Sequence, residues 1–339
     1  MLNKAYVHLE RLKKNARAIK ARLKKDQKFC AVVKADAYGH GAPVVANALH
    51  SLCDCFAVAI VEEGVELRLS GITKDILVLI PPLKEDVSRA VAFNLTISVN
   101  NLKMIEWIES QSKAQNKITK VQIKYNTGMN RLGVDGLRAL NQMAKKISDS
   151  KWLYLDGLFS HFACPENKNE RILAENKFLL ANNLVKGYNN KAICHISASG
   201  GFLVGAKSDM IRVGILLYGY KPFPSTAVSV RPVMKIYAPL IEKRKIKAGE
   251  SALYGVCRAE SDLELSLVRY GYADGLNRIN IESQFNNRCM DVSALDNCKA
   301  TKRGVLIMDN ADELAKKYQT ISYEILTKSA LRAEKIYLN

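Results

Sequence analysis

Short runs of apolar, β-forming residues alternate with segments of helical period along most of this chain. The runs are Phe29–Ala35, Phe56–Val61, Ile76–Ile80, Leu95–Val99, Val121–Tyr125, Gly157–Phe162, Ile193–Ser197 and Ile211–Leu217. Arg11 to Lys25 carries Leu12, Ala16, Ile19 and Leu23 at spacings of four, three and four, which predicts an amphipathic helix. Asn101–Ser112, Leu137–Ile147 and Glu170–Asn182 read as helices in the same way. Strand–helix alternation carried through eight strands predicts a (β/α)8, TIM-type barrel. An open doubly wound sheet needs fewer strands and usually a G-x-G-x-x-G loop after the first, and none is present there.

The pattern changes near Pro222-Phe223-Pro224. Beyond it, short strands are expected at Val233–Ile241, Ser251–Val256, Leu263–Val268, Cys289–Val292 and Gly304–Met308, with helices at Asp312–Tyr318 and Ser322–Leu331. The expected organisation is an α/β chain: a barrel over residues 1–225, then a mainly-β C-terminal domain over 226–339. Leu2 to Leu9 are expected to pair with the second domain rather than the barrel.

With 339 residues, 48 % of them hydrophobic, the chain is long enough for a large barrel plus a second module. No apolar run approaches the roughly 20 residues of a membrane span, and Met1 to Tyr6 show no signal-peptide core. Eight cysteines are scattered without a C-x-x-C, so no metal site is expected and a reducing cytoplasm is the simplest setting. The net charge of +18 raises nucleic-acid or membrane-surface binding. Its densest runs, Arg11–Lys25 and Lys243–Lys247, read instead as solvated faces, with no interleaved aromatics to stack bases. Neither a nucleic-acid nor a membrane partner is expected.

Polar side chains gather at the ends of the predicted barrel strands: Lys34, Lys124 and Asn126, His161, Ser197 and Ser199, with Arg212 in the eighth. Barrel enzymes build their sites at that face. Lys34 follows a buried run and precedes Tyr38, Gly39 and Gly41, the chemistry of a loop approached closely by something else. On position alone it reads as a lysine reaching solvent. An ammonium buried there either titrates toward neutrality or bonds covalently to a partner.

The string Ala31-Val32-Val33-Lys34-Ala35-Asp36-Ala37-Tyr38-Gly39-His40-Gly41 resembles the cofactor-lysine segment of bacterial alanine racemases, pyridoxal-phosphate enzymes of the barrel type (fold type III). The likeness continues at Lys124-Tyr125-Asn126-Thr127-Gly128-Met129-Asn130-Arg131-Leu132-Gly133, at Ser160-His161-Phe162, at His195 to Ser199, at Arg212-Val213-Gly214-Ile215 and at Ser251 to Gly255. It ends with Gly271 to Gly275, Arg288 to Asp291, and Tyr323-Glu324 followed by Arg332. The sequence departs from the family pattern at four places: Asn126 for Asp, Ala198 for Asn, a spacing one residue short at Arg288-Cys289-Met290-Asp291, and Ala333-Glu334-Lys335 for V-P-R.

The resemblance implies that Lys34 binds pyridoxal 5'-phosphate covalently. Tyr38, Ser199, Tyr323 and the backbone N–H groups of Gly214 and Ile215 would surround its phosphate. His161 would pack on the ring and Arg212 would face the ring nitrogen. Arg131 and the Met290 backbone would take the substrate carboxylate, and Lys124 matches a position carbamylated in some members. Lys34 and Tyr254 would be the two bases of a two-sided proton exchange between L- and D-alanine, supplying D-alanine for peptidoglycan. Tyr254 and Met290 would enter the site of the other subunit of a homodimer. The rival readings are a broader-specificity amino-acid racemase of the same fold and a non-catalytic barrel that binds the same cofactor.

Overall fold

Eight parallel strands form the larger sheet, and most of their residues are buried. In chain order they are Lys28–Val32, Cys55–Val58, Ile76–Val78, Thr96–Val99, Thr119–Lys124, Leu153–Phe159, Ile193–His195 and Met210–Val213. Each of the first six pairs with the next, and Lys28–Val32 also pairs with Met210–Val213. The ring closes through a bridge between Ala198 and Arg212 and a hydrogen bond from the Arg212 N–H to the Ser197 carbonyl (3.1 Å). The computed structural model describes all residues except 1, 255–256, 280–284, 286–287, 297 and 299.

Helices shield the outside of the barrel with one apolar stripe each. Leu137–Ser148 buries Leu140, Met143, Ala144 and Ile147, one face at helical spacing. Burying one such leucine is worth about 1.5–3 kcal/mol. Asn101 and Asn167 cap their helices by accepting N–H groups of the first turn. The helix expected from Arg11 runs over Leu9–Lys20.

Two further sheets follow. One has the order Val305–Met308, Met234–Ala238, Lys4–His8, Glu334–Leu338, and so takes in the first strand of the chain. The other is Leu240–Ile246, Leu263–Val268, Ser293–Asp296. The structure moves two expected strands. Cys289–Val292 is irregular, and the strand begins at Ser293. Ser251 makes an isolated bridge to Arg258 instead of starting a strand; Gly255 and Val256 of that expected run lie outside the described residues. β-forming letters alone do not specify a strand where no neighbour offers a ladder. Lys243–Lys247 lie on the exposed face of Leu240–Ile246 and its turn.

Candidate active site

The strand before Lys34 ends at Val32, and the segment after it is a left-handed turn. Ala35, Asp36, Ala37 and Tyr38 have φ between 51° and 56° and ψ between 40° and 54°. For non-glycine residues this conformation costs about 1–2 kcal/mol each, so four in a row need external support. Asp36 accepts the Ala42 N–H (2.8 Å) and pairs with Lys335 (2.8 Å). Glu63 accepts the Ala35 N–H (2.6 Å) and, with its other oxygen, the Ala59 N–H (2.6 Å). His40 Nδ1 lies 3.0 and 2.9 Å from the Ala37 and Tyr38 carbonyls, which makes it the donor. A Cβ on Gly39 would meet the Leu326 carbonyl at 2.5 Å, so the C-terminal helix Ser322–Lys328 braces the turn directly. The substituted tail thus has a local function: Lys335 holds Asp36.

The turn aims Lys34 and Tyr38 into a cavity of about 570 Å³. Lys124, Arg131, His161, Ser199, Arg212, Gly214, Ile215 and Tyr323 line the same cavity. Ten of the residues singled out in the sequence therefore converge, from positions 34 to 323. Tyr254 and Met290 do not join them: they are 69 % and 54 % exposed and lie outside the cavity lining.

The lining divides into two groups. Tyr38, Tyr323, Ser199 and Gly214 form a neutral cluster of donors. The Tyr38 ring lies 4.7 Å from Tyr218 and 6.0 Å from Tyr323, and Gly214 N–H donates to Ser199 Oγ (3.2 Å). A Cβ on Gly214 would lie 2.3 Å from the Tyr38 hydroxyl, so glycine is what lets that hydroxyl sit against the backbone here. Burial pushes the Tyr323 phenol up to about 12 and raises Tyr38 further, which keeps both hydroxyls protonated.

The second group is cationic. Burial lowers the Lys34 amine, Arg131 lowers it further, and Glu63 partly opposes them. Burial, with Arg131, Arg212 and Lys34 nearby, pushes the Lys124 amine down to about 8. Lys124 donates to the Leu79 carbonyl (3.0 Å) and sits 5.2 Å from the Phe159 ring. His161 is pushed down to about 3 by burial and by Arg212, so it is a neutral imidazole. Arg212 is buried, and its guanidinium donates to the carbonyls of His195, Ser160 and Ile196. Burial lowers it to about 10, so it keeps its proton near neutrality. Glu166 is the one carboxylate among the described lining residues. A site of this composition is suited to an anionic ligand.

Asn126 is accommodated without a charge. Its oxygen accepts the Gly128 and Asn130 N–H groups (3.0 and 3.1 Å), and its amide donates to Asn130 and Asp135 (2.8 Å each). An aspartate there would face Asp135 with no donor to offer it. Sequence reasoning passed over Glu63, Asp36 as a brace, Phe159 and Gln122. Glu63 gave no local signal for its contact with Ala35, since the two are 28 positions apart.

A parallel barrel with a lysine at its mouth, a cluster of neutral donors beside it and an appended β domain defines a class of barrel proteins with a site suited to an anionic ligand. Residues 7–222 match the family model described as alanine racemase, N-terminal domain, and residues 233–337 the one described as alanine racemase, C-terminal domain. The chain is similar to the alanine racemase of Treponema denticola, 34 % identical over 287 residues covering 81 % of this chain and 76 % of that protein. It is also similar to that of Streptococcus uberis, 30 % identical over 363 aligned positions covering 99 % and 97 %. The solved alanine racemase of Clostridium difficile 630 superposes with a TM-score of 0.93 at 28 % identity, covering all of this chain and 96 % of that one. The chain belongs to the alanine racemase family.

Proposed function

We propose that this chain is an isomerase that interconverts L- and D-alanine, with pyridoxal 5'-phosphate held in the cavity at the barrel mouth. The observation that carries this reading is the pairing of a neutral donor nest with a lysine of lowered pKa in one cavity, in a chain matched to the family from end to end. The residues present fit the group. The Gly214 and Ile215 amides and the hydroxyls of Tyr38, Ser199 and Tyr323, all on the cavity wall, are donors of the kind that suit a phosphate. The bound group would supply an electron sink that makes the substrate Cα–H acidic.

The chain's own side chains then divide the work. Lys34 holds the group and carries a proton on one face of the substrate. Tyr254 from a second copy serves the opposite face. Arg131, a fixed fork of donors, orients the substrate carboxylate together with the Met290 amide of that second copy. His161 packs as a neutral ring. Arg212, which keeps its own proton near neutrality, would stand at the ring nitrogen of the bound group and would have no proton to give it. Residues 1–225 act as the cofactor barrel, and 226–339 carry Tyr254 and Met290 to the partner. D-Alanine made this way would serve peptidoglycan precursors. Cys30 and Cys55, opposite each other on neighbouring strands, stand as thiols, in keeping with a reducing cytoplasm. No helix among the described residues is long and apolar enough to cross a membrane.

Chiral analysis of the products from L-alanine, L-serine and L-lysine tests the reading. D-Alanine is expected to dominate; comparable D-serine or D-lysine would favour a broader racemase, and no D-product with the coenzyme present would overturn catalysis. We also propose that Lys124 is carbamylated: its amine, lowered to about 8, is neutral often enough to add carbon dioxide and release a proton. Carbon-13 NMR of protein equilibrated with labelled bicarbonate should show one carbamate resonance that Lys124→Ala removes. Its persistence in that variant would sink the assignment.

A further inference from the structure

Arg212 stands at the head of a hydrogen-bond chain that crosses the barrel interior. Its Nη1 lies 2.5 Å from His195 Nδ1. A guanidinium only donates, so Nδ1 accepts, and the imidazole proton must sit on Nε2. His195 is fully buried, and burial with Arg212 holds its pKa well below the usual value, so the ring is neutral. The Nε2–H donates to Gln122 Oε1 (2.8 Å). That places the Gln122 amide nitrogen toward Asp156, where it donates to Oδ2 (2.7 Å). An ionised carboxylate only accepts, so the far end dictates the same direction as the near end.

The backbone is built to aim Asp156. Along the paired strands Thr119–Lys124 and Leu153–Phe159, Val121 faces Leu155 but Gln122 faces Gly157. Asp156 is the extra residue of a β-bulge, a device that redirects a side chain. A Cβ on Gly157 would lie 2.2 Å from the Ile193 carbonyl and 3.4 Å from Gln122 Cδ, so the glycine keeps the path open. His195 is fixed sideways by stacking on Phe159, with centroids 5.4 Å apart and planes 9° from parallel, and Arg212 lies over the same ring.

We propose that Asp156 is a remote positioning residue for Arg212, acting through Gln122 and His195 by fixing the His195 tautomer. This rests on the reading of Arg212 as the group at the cofactor's ring nitrogen. Without a pure acceptor at 156, the Gln122 amide can turn over and present N–H to His195. The imidazole proton then moves to Nδ1, where it opposes the Arg212 N–H at hydrogen-bond distance, and the guanidinium must shift.

Nitrogen-15 NMR of the imidazoles in the full chain, with and without coenzyme, tests this, His195 being assigned among the five histidines with His195→Gln. The parent protein should show His195 as the Nε2–H tautomer. Asp156→Asn, whose amide can present either an acceptor or a donor to Gln122, should weaken that preference by leaving Arg212 alone to impose it, and its racemisation kcat should fall about 10–100-fold, the loss typical when the partner behind a metal-bound histidine is removed. In the double variant Asp156→Asn with Gln122→Glu, the new carboxylate at position 122 accepts both from His195 and from the new amide at position 156. The direction is restored, and with it the tautomer and most of the rate. A role in folding alone would not be rescued this way. A parent protein with Nδ1–H or a charged His195, an unchanged tautomer in Asp156→Asn, or no recovery in the folded double variant would overturn the proposal. Should Asp156→Asn not fold, the parent and double-variant spectra still decide it. The tautomer is read without substrate or coenzyme, so its outcome is separate from whether the chain racemises alanine.

Discussion

Lys34→Ala is expected to abolish racemisation and to remove the one site that borohydride labels in the coenzyme-loaded protein. Losing a positioned base alone costs about 10²–10⁴-fold; losing the amine that holds the coenzyme adds to that. Burial and the Arg131 charge lower the Lys34 amine, which enlarges its neutral, nucleophilic fraction near pH 7, as the proposed attachment requires. The expectation discriminates, because a second amine lines the same cavity. Lys124 is pushed down to about 8 and is neutral more often than an ordinary lysine. Peptide mapping after reduction should place the label on the peptide holding Lys34 in the parent protein and nowhere in Lys34→Ala. A label on Lys124 would reassign the attachment and with it the two-sided proton exchange.

Much of the fold was open to reading because a strand buried on both faces is a continuous apolar run, as in Ile76–Val78 or Cys55–Val58. The exception shows the rule. Leu153–Phe159 begins four residues before the expected Gly157, since exposed Tyr154 and bulged Asp156 interrupt the run. The site was legible where chemistry sits inside one contiguous string. It was illegible where a function is made by distance: Lys335 with Asp36, Glu63 with Ala35, and His195 with Gln122, 73 positions apart. The left-handed turn over Ala-Asp-Ala-Tyr has no propensity signal at all, because tertiary contacts impose it against the preference of each residue.

The other large effect concerns the assembly. Tyr254 and Met290 are exposed and outside the cavity of their own chain, so the proposed reaction is incomplete without a second copy. Tyr254→Phe should lower turnover about 10²–10⁴-fold while coenzyme binding stays unchanged. Because the enantiomers have equal free energy, both directions must fall together; the asymmetry appears in exchange. In deuterated water, the enantiomer whose Cα hydrogen faces Lys34 should still exchange it, whereas the enantiomer served by Tyr254 should not. Mixing the two inactive variants goes further. A dimer of one Lys34→Ala chain and one Tyr254→Phe chain has one site lacking both groups and one site with both intact. Random two-fold pairing makes half the dimers mixed, each with one working site of two, so about a quarter of parental activity should return. Activity that stays at the level of the separate variants, in a sample shown to contain mixed dimers, would place both bases within one chain, and the exposed position of Tyr254 would then require a large movement of the C-terminal domain.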